Sequence, residues 1–108
     1  MKNFAVSLRR LESIVRALPK STIIVVGDSM IDEYFWGDVE RISPEAPVPV
    51  VAVESISRRL GGAANVVQNL TKLGVTARLV SICGSDDNGC TLAGMLNEIG
   101  CAPDGLLR

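Results

Sequence analysis

Histidine is absent from these 108 residues, and aromatic side chains make up only 4% of them. Without histidine, this segment can hold neither a His-based catalytic triad nor the common zinc sites that mix histidine with cysteine. Cysteine is scarce as well: Cys83, Cys90 and Cys101 are odd in number and spaced by seven and eleven. That spacing predicts free, buried thiols. Net charge is nearly absent, 11 basic residues standing against 12 acidic ones. No basic stripe with interleaved aromatics results, so nucleic acid is not expected as a partner. Long apolar runs are missing too. The segment Met1 to Lys20 is broken by Lys2, Arg9, Arg10, Glu12 and Arg16, which fits neither a secretory leader nor a membrane span and predicts a cytoplasmic protein. Two nucleotide motifs are also lacking. No GxxxxGK[ST] occurs, and neither Gly61-Gly62 nor the run Gly84 to Gly89 makes a GxGxxG.

The residues that are present alternate in period. Phe4, Leu8, Leu11, Ile14, Val15 and Leu18 recur at helical spacing and predict a helix within residues 1–20, closed by Pro19. Thr22 to Val26 is a continuous β-branched run that reads as a buried parallel strand, ended by Gly27-Asp28. From Tyr34 to Ser57 short strands are punctuated by Pro44, Pro47 and Pro49, with Val48, Val50 and Ala52 strand-like. The prolines restrict this piece to a sheet edge or a separate small layer. A helix over Gly62 to Leu73, a strand over Val75 to Cys83, a loop over Gly84 to Gly89 and a helix over Cys90 to Ile99 follow. Leu106-Leu107-Arg108 begins another strand. Strand, excursion, helix, strand, helix is the signature of an α/β fold: a parallel sheet with flanking helices and an inserted β lid.

Two glycines standing directly before a helix make Gly61-Gly62-Ala63-Ala64-Asn65 the candidate binding element. The first amides of a helix have no intrahelical partner and carry partial positive charge, so they suit a hydroxyl, phosphate or carboxylate, and glycine lets the ligand approach. Asn65, one turn in, adds a side chain that donates and accepts. A helix cap explains the same string equally well. Ligands of parallel α/β sheets collect at the carboxyl ends of strands, where Asp28 and Asp32 lie. Asp28 reads as a turn or capping residue. Asp32 is the better candidate to hold two vicinal hydroxyls. Tyr34, Phe35 and Trp36 read as residues that pack the flap onto the sheet.

The succession Val26-Gly27-Asp28-Ser29-Met30-Ile31-Asp32, then Gly61-Gly62-Ala63-Ala64-Asn65, then Gly74 and Gly84, resembles the N-terminal part of the ribokinase-like (PfkB) carbohydrate kinases. Within that family, Arg41-Ile42-Ser43-Pro44-Glu45-Ala46-Pro47-Val48-Pro49-Val50 looks like the lid of the heptose 7-phosphate kinase domain of ADP-heptose synthases. The resemblance covers roughly Thr22 to Arg108. It implies an N-terminal helix at 1–20, and at 21–108 the N-terminal portion of a ribokinase-like kinase domain with a β lid at about 34–57.

By the same resemblance the parent enzyme transfers the γ-phosphoryl of ATP to the anomeric oxygen of D-glycero-β-D-manno-heptose 7-phosphate, toward the lipopolysaccharide core. Asp32, Gly61, Gly62 and Asn65 fall on the family's sugar-contacting positions. Arg59, also matched, suits the 7-phosphate, though a solvated surface arginine explains it equally well, and the lid implies a homodimer. The chain departs from the family at Arg58, Leu60 and Val67. The family's base, phosphoryl-holding amides and Mg-ATP site come from a DTxGAGD-type segment that these residues do not contain. The resemblance therefore implies a sugar-binding portion with no catalytic residue of its own, inactive alone, with ATP and Mg belonging to the full-length enzyme. The Gly-Gly-x-x-Asn core by itself equally admits another sugar or nucleoside kinase. A non-catalytic module that dimerises through its lid is a third possibility.

Overall fold

A computed structural model describes residues 6–108. Phe4 and Lys2, invoked above for the first helix, lie outside the described residues. Helix α1 spans Leu8–Ala17, started by Ser7, whose side chain accepts from the Arg10 N–H at 3.3 Å. A 3-10 turn over Leu18–Lys20 carries Pro19 and ends it. The pattern is amphipathic, yet none of the helix's residues is buried.

Strand β1 (Thr22–Val26) pairs in parallel with β4 (Thr76–Ile82), which pairs in parallel with the short β5 (Leu106–Leu107), giving the order β1-β4-β5. Parallel pairing requires crossovers. Between β1 and β4 the chain makes an antiparallel hairpin, β2 (Ser29–Ile42) and β3 (Pro49–Gly61), then helix α2 (Gly62–Lys72); between β4 and β5 it makes helix α3 (Asp87–Glu98). The expected short strands are thus one long hairpin. Pro44 and Pro47 fall in its turn and Pro49 opens β3, where the missing N–H costs no central ladder bond. Register shifts at Trp36/Gly37 and Val39/Arg41 bend the hairpin along its length.

The core lies on one face of the three-stranded sheet. Strand β4 alternates strictly, burying Ala77, Leu79 and Ser81. Against them pack Leu60 from the base of β3, Ala64 and Val67 from α2, Leu92 and Leu96 from α3, and Cys101. The opposite face is open: Ile24 and Val26 of β1, expected to be buried, stand in the row of Val80 and Ile82 with no element among the described residues laid over them. A β-branched run reports a pleated strand, whereas burial depends on what is packed onto each face.

All three of the sequence departures are absorbed here. Leu60 and Val67 are core residues, and Arg58 donates to Glu33 at 2.7 Å across the hairpin. The free thiols are not all buried: Cys101 is, Cys83 is half-buried and Cys90 is exposed. Helix α3 starts at Asp87, earlier than expected, because the Asp86 side chain caps it by accepting from the Gly89 N–H at 2.9 Å.

Candidate functional site

The candidate residues gather where the base of the hairpin meets the start of α2. Gly61 is the last residue of β3 and the N-cap of α2, in extended conformation, and Gly62 follows at φ +56°. The two glycines are required for different reasons. Gly62 occupies the left-handed region that side chains resist, and a Cβ there would also run into the carbonyl oxygen of Asp28. Gly61 needs no such freedom. It makes room: a Cβ on it would stand 2.8 Å from Asp32 Oδ2 and 2.6 Å from Met30 Cγ. The Asp32 carboxylate therefore lies directly against the Gly61 backbone, which is the close approach the sequence pattern suggested, made by a side chain of the protein itself.

The helix start is not wholly free for a ligand. The Ala63 N–H donates to the Asp28 carbonyl at 2.8 Å, so Asp28 serves the turn through its backbone, and no side chain caps α2. Asp32 pairs with Arg59 across the hairpin ladder, which puts the two side chains on one face of the sheet. Asp32 and Arg59 are both exposed. Asn65 stands apart, one turn into α2 and exposed. The structure thus brings together Asp32, Gly61, Gly62 and Arg59, with Asn65 at a further turn of the same helix.

Met30 was missed by sequence reasoning. Its side chain lies over both glycines, with Cε 3.2 Å from where a Gly62 Cβ would be. It also lines the larger cleft, about 510 Å³, that opens between the start of β2, the end of β4 and the start of α3, with Ser29, Cys83, Asp86 and Asn88. Asp32 and Arg59 do not line that cleft, so Met30 is the wall between it and the Gly-Gly turn. Only its position two residues before Asp32, on the same strand face, could have signalled this. The Ser29 hydroxyl, in the same cleft, is buried with no hydrogen-bond partner among the described residues. Such a group is costly unless a ligand or water satisfies it. Arg59 also borders a smaller cleft of about 380 Å³ with Arg58, Gln68, Lys72 and Glu98.

The aromatic residues depart from expectation. Tyr34 and Trp36 do not pack the flap onto the sheet. They share the Asp32 face of the hairpin, 41% and 54% exposed, while Phe35 points to the other face. Among the described residues no group of three or more His, Cys, Asp or Glu is placed to hold a metal ion, and no helix is long and apolar enough to cross a membrane.

The family model for pfkB carbohydrate kinases matches residues 20–107. The chain is 50% identical over 100 residues to bifunctional protein HldE of Citrifermentans bemidjiense, covering 93% of this chain and 20% of that protein. It is 48% identical over 97 residues to bifunctional protein HldE of Magnetococcus marinus, covering 90% and 20%. The chain thus spans about a fifth of the length of these curated relatives, and the likeness falls in their N-terminal region. Among solved structures, a protein described as a ribokinase from Agrobacterium tumefaciens superposes with a TM-score of 0.63 at 20% identity, over 80% of this chain and 27% of that one. The nucleoside kinase of Methanocaldococcus jannaschii, an archaeal member of the ribokinase family, gives 0.55 at 26% identity, over 80% and 28%. The parallel sheet with flanking helices agrees with those folds, and the chain belongs to the pfkB family of carbohydrate kinases.

Proposed function

We propose that these residues form the acceptor-binding face of a cytoplasmic carbohydrate kinase that phosphorylates D-glycero-β-D-manno-heptose 7-phosphate at its anomeric oxygen. The observation that carries this reading is the Asp32 carboxylate lodged against Gly61 at the junction of hairpin and helix. A carboxylate accepts two hydrogen bonds side by side, which suits vicinal hydroxyls. Arg59 on the same face supplies an in-plane fork of donors for a phosphate monoester. Gly62 and Asn65 complete the polyol site along α2. The choice of heptose rests on the lid string Arg41 to Val50 and on the HldE relatives.

ATP supplies the phosphoryl group in that reaction. The work assigned to this chain is binding and orienting the acceptor. Turnover is therefore not expected of these residues alone. The hairpin also supports a homodimer. Phe35, Val39, Val51, Val53 and Ile56 form an exposed apolar row along its length, the kind of surface that associates. Val50 and Ala52 lie off this row.

The test is calorimetric titration of heptose 7-phosphate into the chain and into Asp32→Ala. Binding that is lost in the variant while its unfolding midpoint holds supports the reading. Equal binding by both proteins would place the sugar elsewhere. A stronger response to a pentose or a nucleoside than to the heptose would shift the substrate to another member of the family.

A further inference from the structure

Residues two apart on a strand share a face, and residues paired across an antiparallel ladder share it too. Asp32, Tyr34 and Trp36 on β2 therefore lie in one row beside Arg59 and Ser57 on β3. Side-chain geometry links the row together. The Arg59 guanidinium lies over the Tyr34 ring, 5.0 Å from its centroid. The Tyr34 and Trp36 rings stack at 6.4 Å with 21° between their planes. Trp36 Nε1 donates to Ser57 Oγ at 3.0 Å.

Two neighbouring arginines show what this arrangement achieves. Arg58, on the opposite face, is held by Glu33 at 2.7 Å, and its charge is already answered. Arg59 makes no ion pair among the described residues. A guanidinium carries all its donors in its own plane, so stacking on a ring immobilises it and leaves those donors available. The rings themselves remain in water although both are large and apolar, which is unfavourable unless something covers them.

We propose that Trp36 forms a ligand ledge beside Asp32 and that Tyr34 acts through Arg59 alone, as a positioning residue that presents that guanidinium to the phosphate of a sugar phosphate. Trp36, its N–H already engaged by Ser57, covers the apolar C–H face of the sugar. The inference rests on the reading that Asp32 holds the sugar hydroxyls, and it adds the origin of the preference for a phosphorylated sugar.

Trp36 is the single tryptophan of the chain, so its emission reports on the ledge directly. The chain is titrated with heptose 7-phosphate and with the same heptose lacking the phosphate, following Trp36 emission and, in parallel, calorimetry. Both ligands should change the emission, and the phosphorylated one should bind at least about tenfold more tightly, as a charge-assisted contact requires. Tyr34→Leu should remove most of that preference while leaving the unphosphorylated sugar within about twofold. Tyr34→Phe, which keeps the ring, should behave as the parent does. Equal weakening of both ligands by Tyr34→Leu, or an unchanged phosphate preference, overturns the inference. Calorimetric binding with silent Trp36 emission overturns it as well. Binding of both sugars undiminished in Asp32→Ala sinks the underlying site instead, and no binding of either sugar to the parent chain sinks both.

Discussion

The layer formed by α2, β4 and α3 shuts Val67, Leu79, Leu92 and Leu96 away from water, whereas the β2–β3 hairpin leaves Phe35, Val39, Val53 and Ile56 more than half exposed. Both regions are regular structure with comparable numbers of apolar residues. Only the first uses them to hold itself together. The hairpin is fixed by its ladder and by its base, where Leu60 is buried and Ile31 packs against the core. A two-stranded sheet without cover is marginal in water. Its outer side chains are therefore free, at little cost to the fold, for the ligand and the second copy proposed for its two faces.

The largest effect that bears on this contrast should come from the core. Leu96→Ala removes a fully buried side chain and should cost about 2–5 kcal/mol, whereas Val53→Ala in the hairpin should stay within about 0.5 kcal/mol. Urea unfolding of the two variants measures both. Similar losses would show that the hairpin contributes to stability as the layer does, and the contrast would fail.

Next comes the junction between the regions. Asp32→Ala should lower sugar affinity by roughly 2–4 kcal/mol, because hydroxyls deprived of the carboxylate lose their partner. Asp32 is exposed, so the midpoint of thermal unfolding should hardly move. Gly61→Ala should act in the same direction on binding by displacing that carboxylate. Gly62→Val should differ by costing stability as well, roughly 1–3 kcal/mol of backbone strain, since a branched residue is forced to φ +56°. A Gly62→Val protein as stable as the parent would mean that the turn relaxes.

A smaller effect separates the layer from the hairpin by pH. Burial pushes the Cys101 thiol above its ordinary value of 9.0; a backbone hydrogen bond at Leu79 and the Arg78 charge oppose this, and Asp104 adds to it. A raised folded pKa means that the native state holds its proton longer than the unfolded chain does. The stability it contributes is fully present below pH 9.0 and is lost as pH rises through the folded value. Unfolding midpoints should fall on the alkaline side in the parent and less steeply in Cys101→Ala. Identical slopes would assign the alkaline loss to other groups. The smallest effect is on association. Val53→Lys should shift sedimentation toward monomer without changing sugar binding, and an unchanged profile would clear that row of any role in pairing.

Where the signals are local, the sequence was legible. Pro19 ending the first helical stretch, the run Thr22 to Val26, and the helix from Gly62 with its stop near Gly74 need only neighbouring residues to be read. Asp86 was within reach too, as an acceptor three residues before Gly89, but the glycine-rich loop hid the cap. The faces of the hairpin were not legible. Val50 with Ala52 and Val51 with Val53 are both apolar pairs, and period two cannot tell which one faces outward when both alternate sets are apolar. Register shifts at Trp36/Gly37 and Val39/Arg41 further break the count along the strand. Three consecutive aromatics, Tyr34 to Trp36, carry the same ambiguity, and only the pairing of Tyr34 with Ser57 and of Asp32 with Arg59 assigned two of the rings to the Asp32 face.

The sequence by itself determined the order of elements, the parallel α/β class and the family, because period, caps, prolines and the strings Val26 to Asp32, Arg41 to Val50 and Gly61 to Asn65 are properties of short stretches of chain. Tertiary structure alone decided which apolar residues are buried, why Gly61 must lack a side chain, and that Arg59 rests on Tyr34. The last two depend on contacts between residues 25 or more positions apart, 32 with 61 and 34 with 59, and contacts of that span exist only after the hairpin has closed.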